Sequence, residues 1–127
     1  NSMIESSKYS EYDLIDTLLN RDASGFLKVS SYLREIETSL SYIIFLVNQE
    51  LEKIYSLVKP TMSKPYIPSF LITKYKNASK KYTLDELLFL LKNIASIDMK
   101  SKYMSKRSNP WVSFSSLFHD LMNKHAK

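Results

Sequence analysis

A single glycine in 127 residues, Gly25, constrains this chain more than any other feature. Sandwiches and barrels turn sharply at many places, and glycine is the residue that reaches positive φ there without steric cost. A chain that forgoes it must turn by other means, and helices joined by capped connections are the economical answer. Apolar spacing agrees: nothing alternates convincingly with period two, whereas six segments show the three-and-four spacing of a helix with one buried face. The sequence therefore predicts an all-α fold, a single bundle of about five to six helices.

The first segment runs from about Ser10 to Asn20, with Tyr12, Ile15 and Leu19 on one face and Leu18 beside them. Asp22 can cap the second, whose Phe26, Val29, Leu33 and Ile36 form one stripe. The third and longest, about Ser39 to Lys59, repeats Leu40, Ile43, Val47, Leu51, Ile54 and Val58 and is widened by Ile44 and Tyr55. Such width suits a central helix touching several neighbours, and Pro60 ends it. Pro68 fits the first turn of a fourth helix reaching about Ser79, with Phe70, Leu71 and Tyr75 inward. "TLDE" at 83 to 86 is a capping box that starts the fifth, which carries Leu84, Leu87, Leu88, Leu91, Ile94 and Ala95 and is expected to end between Tyr103 and Lys106. Asn109 and Pro110 open the sixth, with Trp111, Phe114, Leu117, Phe118, Leu121 and Met122 on a broad apolar face.

Length allows one domain with a core of its own. No cysteine is present, which excludes disulfides and thiol catalysis and permits a cytoplasmic location. The most apolar run, "LSYIIFLVN", is less than half of the roughly 20 residues a membrane span needs, so no membrane partner is expected. Asn1, Ser2 and Met3 lack the regions of a secretory signal; residues 1–8 read as a disordered or cloning-derived start and 9–127 as the domain, a fragment of a longer protein.

Constellations that would carry chemistry are missing from the pattern. His119 and His125 lie on different faces of the last helix with no carboxylate or histidine at a metal-binding step, so no metal and no cofactor is expected. A chain with one glycine can hardly build a phosphate loop. Asp13, Asp16, Asp85 and Glu86 sit near helix starts, where they favour the positive end of the dipole. No catalytic residue is assigned, and the domain is not expected to be an enzyme by itself.

Two features remain. The net charge is +5, and two basic clusters, "KYKNASKKY" at 74 to 82 and "KSKYMSKR" at 100 to 107, interleave lysines with tyrosines. Lys80, Lys81, Lys106 and Arg107 are the candidate nucleic-acid contacts, although cations at helix ends also complement the dipole. Asp98, seven residues beyond Leu91 and four beyond Ile94, places a carboxylate on the side of the fifth helix's stripe, with Lys102 one turn on. Either the helix leaves the core there, or its end meets another subunit, where a charged group sets register.

"YTLDELLFLLKNIASIDMKSK" resembles a segment of the bacterial DNA polymerase III delta subunit in which an aromatic and a Ser or Thr lead into a leucine-rich helix ending in DxxxK. The matching positions are Tyr82, Thr83, Leu84, Leu87, Leu91, Asp98 and Lys102. "YDLIDTLLNRDASGFLKVSSYLRE" is similar to that family's helix pair, and "NPWVSFSSLFHDLM" to its last helix. The resemblance covers about residues 9 to 123; it departs at Ser101, where leucine is usual, and over 60 to 81, with two prolines, Ser69 and a longer run.

The resemblance implies the carboxy-terminal collar domain of a clamp-loader subunit, the machine that opens the sliding clamp and places it on primed DNA during replication. In that family this domain joins the delta prime and tau/gamma subunits in a ring and does not hydrolyse ATP. Contact with the clamp belongs to amino-terminal modules, and primed DNA is met only within the assembled complex. The candidate seam residues are Asp98, Lys102, Tyr103, Trp111 and Phe114. Two other readings stand beside it: a basic nucleic-acid-binding module, and an unrelated helical protein-interaction domain with a hydrophobic groove.

Overall fold

Six helices, five of them opened by a side-chain cap, make up the computed structural model, which describes residues 8–59, 65–103 and 109–124. Helix α1, Glu11–Leu19, opens with a second capping box, in which the Asp13 carboxylate accepts the Ser10 N–H at 2.7 Å. Helix α2, Ala23–Glu35, begins at Asp22, whose carboxylate accepts the Gly25 N–H at 3.0 Å. A Cβ at Gly25 would stand 2.2 Å from Asp22 Oδ2, so the lone glycine serves the close approach of this cap.

Helix α3, Leu40–Val58, starts at Ser39. A 3-10 turn, Ser69–Leu71, leads into helix α4, Ile72–Ser79. Helix α5, Leu84–Tyr103, opens with the expected box: Thr83 Oγ1 accepts the Glu86 N–H at 3.1 Å and Glu86 Oε1 accepts the Thr83 N–H at 2.9 Å. Helix α6, Pro110–Asn123, is capped by Asn109. Of residues 1–8, read from sequence as a disordered or cloning-derived start, 1–7 lie outside the described residues, and the Lys8 N–H donates to the Tyr32 hydroxyl at 3.1 Å.

Two helices end in a left-handed residue that is not glycine. Arg21 has φ 52° and Glu37 φ 62°. Each occupies the position where a helix usually places glycine to close a Schellman motif. After α1, the Arg21 N–H reaches Leu18 O and the Asp22 N–H reaches Thr17 O; after α2, the Glu37 N–H reaches Arg34 O and the Thr38 N–H reaches Leu33 O. The bends demanded of a glycine-poor chain are thus made in the glycine manner with other residues.

Helix α1 packs on α2, α2 on α6, α6 on α5, α5 on α3 and α3 on α4, while α1 also touches α3 and α4. The order closes on itself around one core. Its centre at α2 and α6 is aromatic: Phe26 stacks on Phe118 at 4.8 Å, and Phe114 lies 5.0 Å from Phe118. Ser30 and Ser115 face each other there, buried and hydrogen-bonded at 2.9 Å, small residues that let the two helices approach.

Several side chains stand differently from the sequence reading. Tyr12 is exposed, and Leu14 with Leu18 and Leu19 forms the buried face of α1. Ile36, expected on the α2 stripe, is exposed because it lies at the helix's end. Phe70 is 83% exposed: three residues per turn in the 3-10 segment let Leu71 take the inward place and turn its neighbour out. On α5 the buried row is Leu87, Leu90, Ile94 and Ile97, so Leu88 and Ala95 face solvent. The apolar stripe therefore continues through Ile97, and Asp98 stands on its flank, in line with the half-buried Leu91.

Candidate interaction surfaces

The most connected polar side chain belongs to Arg21. Its Nη1 and Nη2 meet Glu86 Oε1 and Oε2 at 2.8 and 2.9 Å. Nη1 also donates to Lys81 O at 2.7 Å, Nη2 to Leu121 O at 2.8 Å, and Nε to Met122 O at 3.2 Å. A guanidinium has five N–H donors, and all five are engaged. The group lies 4.9 Å from the centre of the Tyr82 ring, whose hydroxyl donates to Leu18 O at 2.5 Å. Hydrogen bonding to Glu86 raises the Arg21 pKa, and burial pushes the Tyr82 phenol well above its usual range. This cluster joins the α1–α2 bend to the start of α5 and the end of α6. With every donor and both carboxylate oxygens occupied, it offers nothing to a substrate.

Sequence reasoning passed over Arg21, and a signal for it exists: a left-handed C-terminal bend without glycine, "NRD", in a chain that also holds an acidic capping box. A carboxylate–tyrosine contact, Glu50 accepting from the Tyr75 hydroxyl, ties α3 to α4. Burial first, then the Glu50 hydrogen bond and charge, raises the Tyr75 pKa.

The expected seam residues divide. Asp98 and Lys102 pair at 3.1 Å, and Asp98 also accepts from the Ser41 hydroxyl at 3.3 Å, which joins the end of α5 to the start of α3. A half-exposed pair of this kind is worth roughly 0.3–0.5 kcal/mol, so it orients more than it stabilises. Tyr103 projects into solvent. Trp111 is half-buried, edge-on to Phe114 at 5.9 Å. Phe114 is completely buried in the bundle's own core, where no neighbouring protein can reach it.

Of the basic residues, Lys80 and Lys81 are exposed between α4 and α5, while Lys106 and Arg107 lie outside the described residues. The tyrosines interleaved in the first cluster, Tyr75 and Tyr82, are buried and hydrogen-bonded, so they cannot stack on bases. Lys74, Lys80 and Lys81 instead rim a cleft of about 280 Å³ at the ends of α1 and α4.

His119 lies beside Asn123, and His125 lies outside the described residues. Among the described residues no group of histidines and carboxylates could hold a metal ion, and no helix is long and apolar enough to cross a membrane. The fold defines an all-helical bundle. No family model matches the chain, and no curated protein or solved structure matches it either.

Proposed function

We propose that this bundle is an assembly domain, which fixes a protein's place among its partners and contributes geometry instead of reactivity. One observation carries the reading. Leu88, Ala95, Met99 and Tyr103 follow one another along α5 at steps of seven, four and four, and all are exposed. Met99 is 63% and Tyr103 78% accessible. The solvent side of a helix ordinarily carries polar residues, since its other side already supplies the core. Here the core side is complete in Leu87, Leu90, Ile94 and Ile97, and a second apolar row remains.

Lys92 interrupts that row, and Asp98 with Lys102 runs along its edge. An apolar centre with a polar rim is the usual anatomy of a protein interface. Phe45, exposed on α3 one turn beyond Ser41, adds an aromatic beside the seam where Ser41 meets Asp98. Within this reading the particular role is that of the collar domain of a clamp-loader delta subunit, held in its ring by delta prime and tau/gamma during DNA replication. The sequence resemblance, the six-helix bundle and the outward row on α5 support it.

Size-exclusion chromatography with those subunits at micromolar concentration tests the proposal. Co-elution of the native chain is expected, together with its loss in Met99→Glu and Tyr103→Glu variants whose helical circular dichroism is unchanged. If the native chain elutes alone, the collar role fails; if the variants co-elute as the native chain does, α5 is not the seam.

A further inference from the structure

We propose that the cleft between the ends of α1 and α4 holds a backbone phosphate of nucleic acid. The site is separate from the outward row on α5, so its test is independent of the assembly role. Buried Leu19 and Ala78 form its floor, and Lys74, Lys80, Lys81 and Asn77 stand around it. Asp16 is the carboxylate that answers these cations, paired with Lys74 at 3.2 Å on an exposed edge. Lys80 and Lys81 have no ion-pair partner among the described residues. Three cations therefore share one concavity with one anion.

Lysines near a helix C-terminus complement the dipole, which accounts for Lys76 in the last turn of α4 and for Lys80 at its cap but not for Lys74, near the helix start, turned to the same hollow. The turn that bears Lys80 and Lys81 is also held in advance. The Lys80 N–H donates to Asn77 O and the Lys81 N–H to Ala78 O, and Lys81 O is clasped by Arg21 at 2.7 Å. Arg21 itself is neutralised by Glu86, so the surplus charge at the cleft belongs to the lysines.

Chemistry selects the ligand. At about 280 Å³ the cleft stands at the small end of ligand pockets. Its lining contains no aromatic ring on which a base could stack. A phosphate without its base fits that description. Phosphopeptide sites rely on arginines whose forks grip two phosphate oxygens at once, whereas lysines act as point charges suited to a sequence-independent backbone. The apolar side chains of the site are its buried floor, so none is available to insert into a lipid surface.

Fluorescence anisotropy of a short labelled DNA duplex, measured against salt concentration, tests the assignment. Affinity should fall with a log–log slope of about −1 or steeper, since each phosphate neutralised contributes about −0.9. Lys80→Glu combined with Lys81→Glu should weaken binding at low salt by at least about tenfold, while Lys59→Glu combined with Lys100→Glu, at exposed lysines elsewhere, should change it less than about threefold. In amide-resolved NMR, the duplex should shift Asn77, Ala78, Lys80 and Lys81. Equal losses in the two double variants, no binding at low salt, or affinity that ignores salt would each overturn the site. Tighter binding to a phosphoserine peptide or to phosphatidylserine vesicles than to the duplex would overturn the choice of nucleic acid.

Discussion

Arg21 and Glu86 stand 65 positions apart in the chain and meet fork to fork, while the same carboxylate caps α5 through the Thr83 N–H. Both side chains are about nine-tenths buried, at 10% and 11% exposure. Removing one partner strands the other charge, so Arg21→Ala is expected to cost about 3–5 kcal/mol in urea unfolding. Arg21→Lys should recover little of it, because three rotating donors cannot serve five fixed acceptor contacts. A loss below about 1 kcal/mol for Arg21→Ala would show that the ends of α1, α5 and α6 are held by packing alone.

The two left-handed bends make opposite predictions for the same substitution. At Glu37, with φ 62°, glycine removes the steric penalty of the side chain and should stabilise by about 0.5–1 kcal/mol. At Arg21, with φ 52°, glycine brings the same relief but deletes five hydrogen bonds, so the variant should be less stable than the native chain. Paired denaturation curves for Glu37→Gly and Arg21→Gly decide whether the clasp outweighs the backbone strain.

Phe114→Ala should destabilise the isolated domain by about 3–5 kcal/mol, as expected for a ring wholly enclosed by its own fold. Tyr103→Ala, at a ring that is 78% exposed, should stay within about 0.5 kcal/mol of the native chain. Thermal melts of the two variants separate the core from the surface at this end of the bundle.

Alkaline pH should weaken the fold through Tyr75 and Tyr82. Both phenols are raised from the ordinary value of 10.0, chiefly by burial. In the unfolded chain they release protons from about pH 10 upward while the folded chain retains them, so stability is unaffected below that point and declines above it. The decline is at most about 1.4 kcal/mol per pH unit for each tyrosine. Tyr82→Phe should show a shallower alkaline limb in urea midpoints measured from about pH 9 to about pH 11. An unchanged limb would place the titration elsewhere.

Helix number, the long central helix and the starts of α2, α5 and α6 were legible in the sequence because caps and period are local: Asp22, Thr83 with Glu86, and Asn109 each act within one turn, whereas uncapped α4 begins at Ile72, after a 3-10 turn, and not at Pro68. The side chains misplaced by pattern alone were those at an edge. Leu88 and Leu91 look equivalent to Leu87 in sequence, but Leu87 is buried, Leu91 half-buried and Leu88 exposed, because only packing against α3 and α6 fixes the rotation of α5. For the same reason Asp98 read as an intrusion into the stripe, when Ile97 carries the stripe onward. Of the surfaces, the exposed Tyr103 and the Asp98–Lys102 pair were legible, since an i, i+4 pair is also local. Arg21 was not, since its meaning depends on residues 60 to 101 positions away.

The clasp of Arg21 on the carbonyls of Leu121 and Met122 also bears on the order of events in folding. It joins the bend after α1 to the last turn of α6, so it can close only after α6 has docked. We expect it to form after the transition state and so to act on the unfolding rate, which a chevron would show. It works as a latch: Arg21→Ala should leave the refolding limb of a chevron nearly where it was and lift the unfolding limb, shortening the lifetime of the native chain against proteases without slowing its formation.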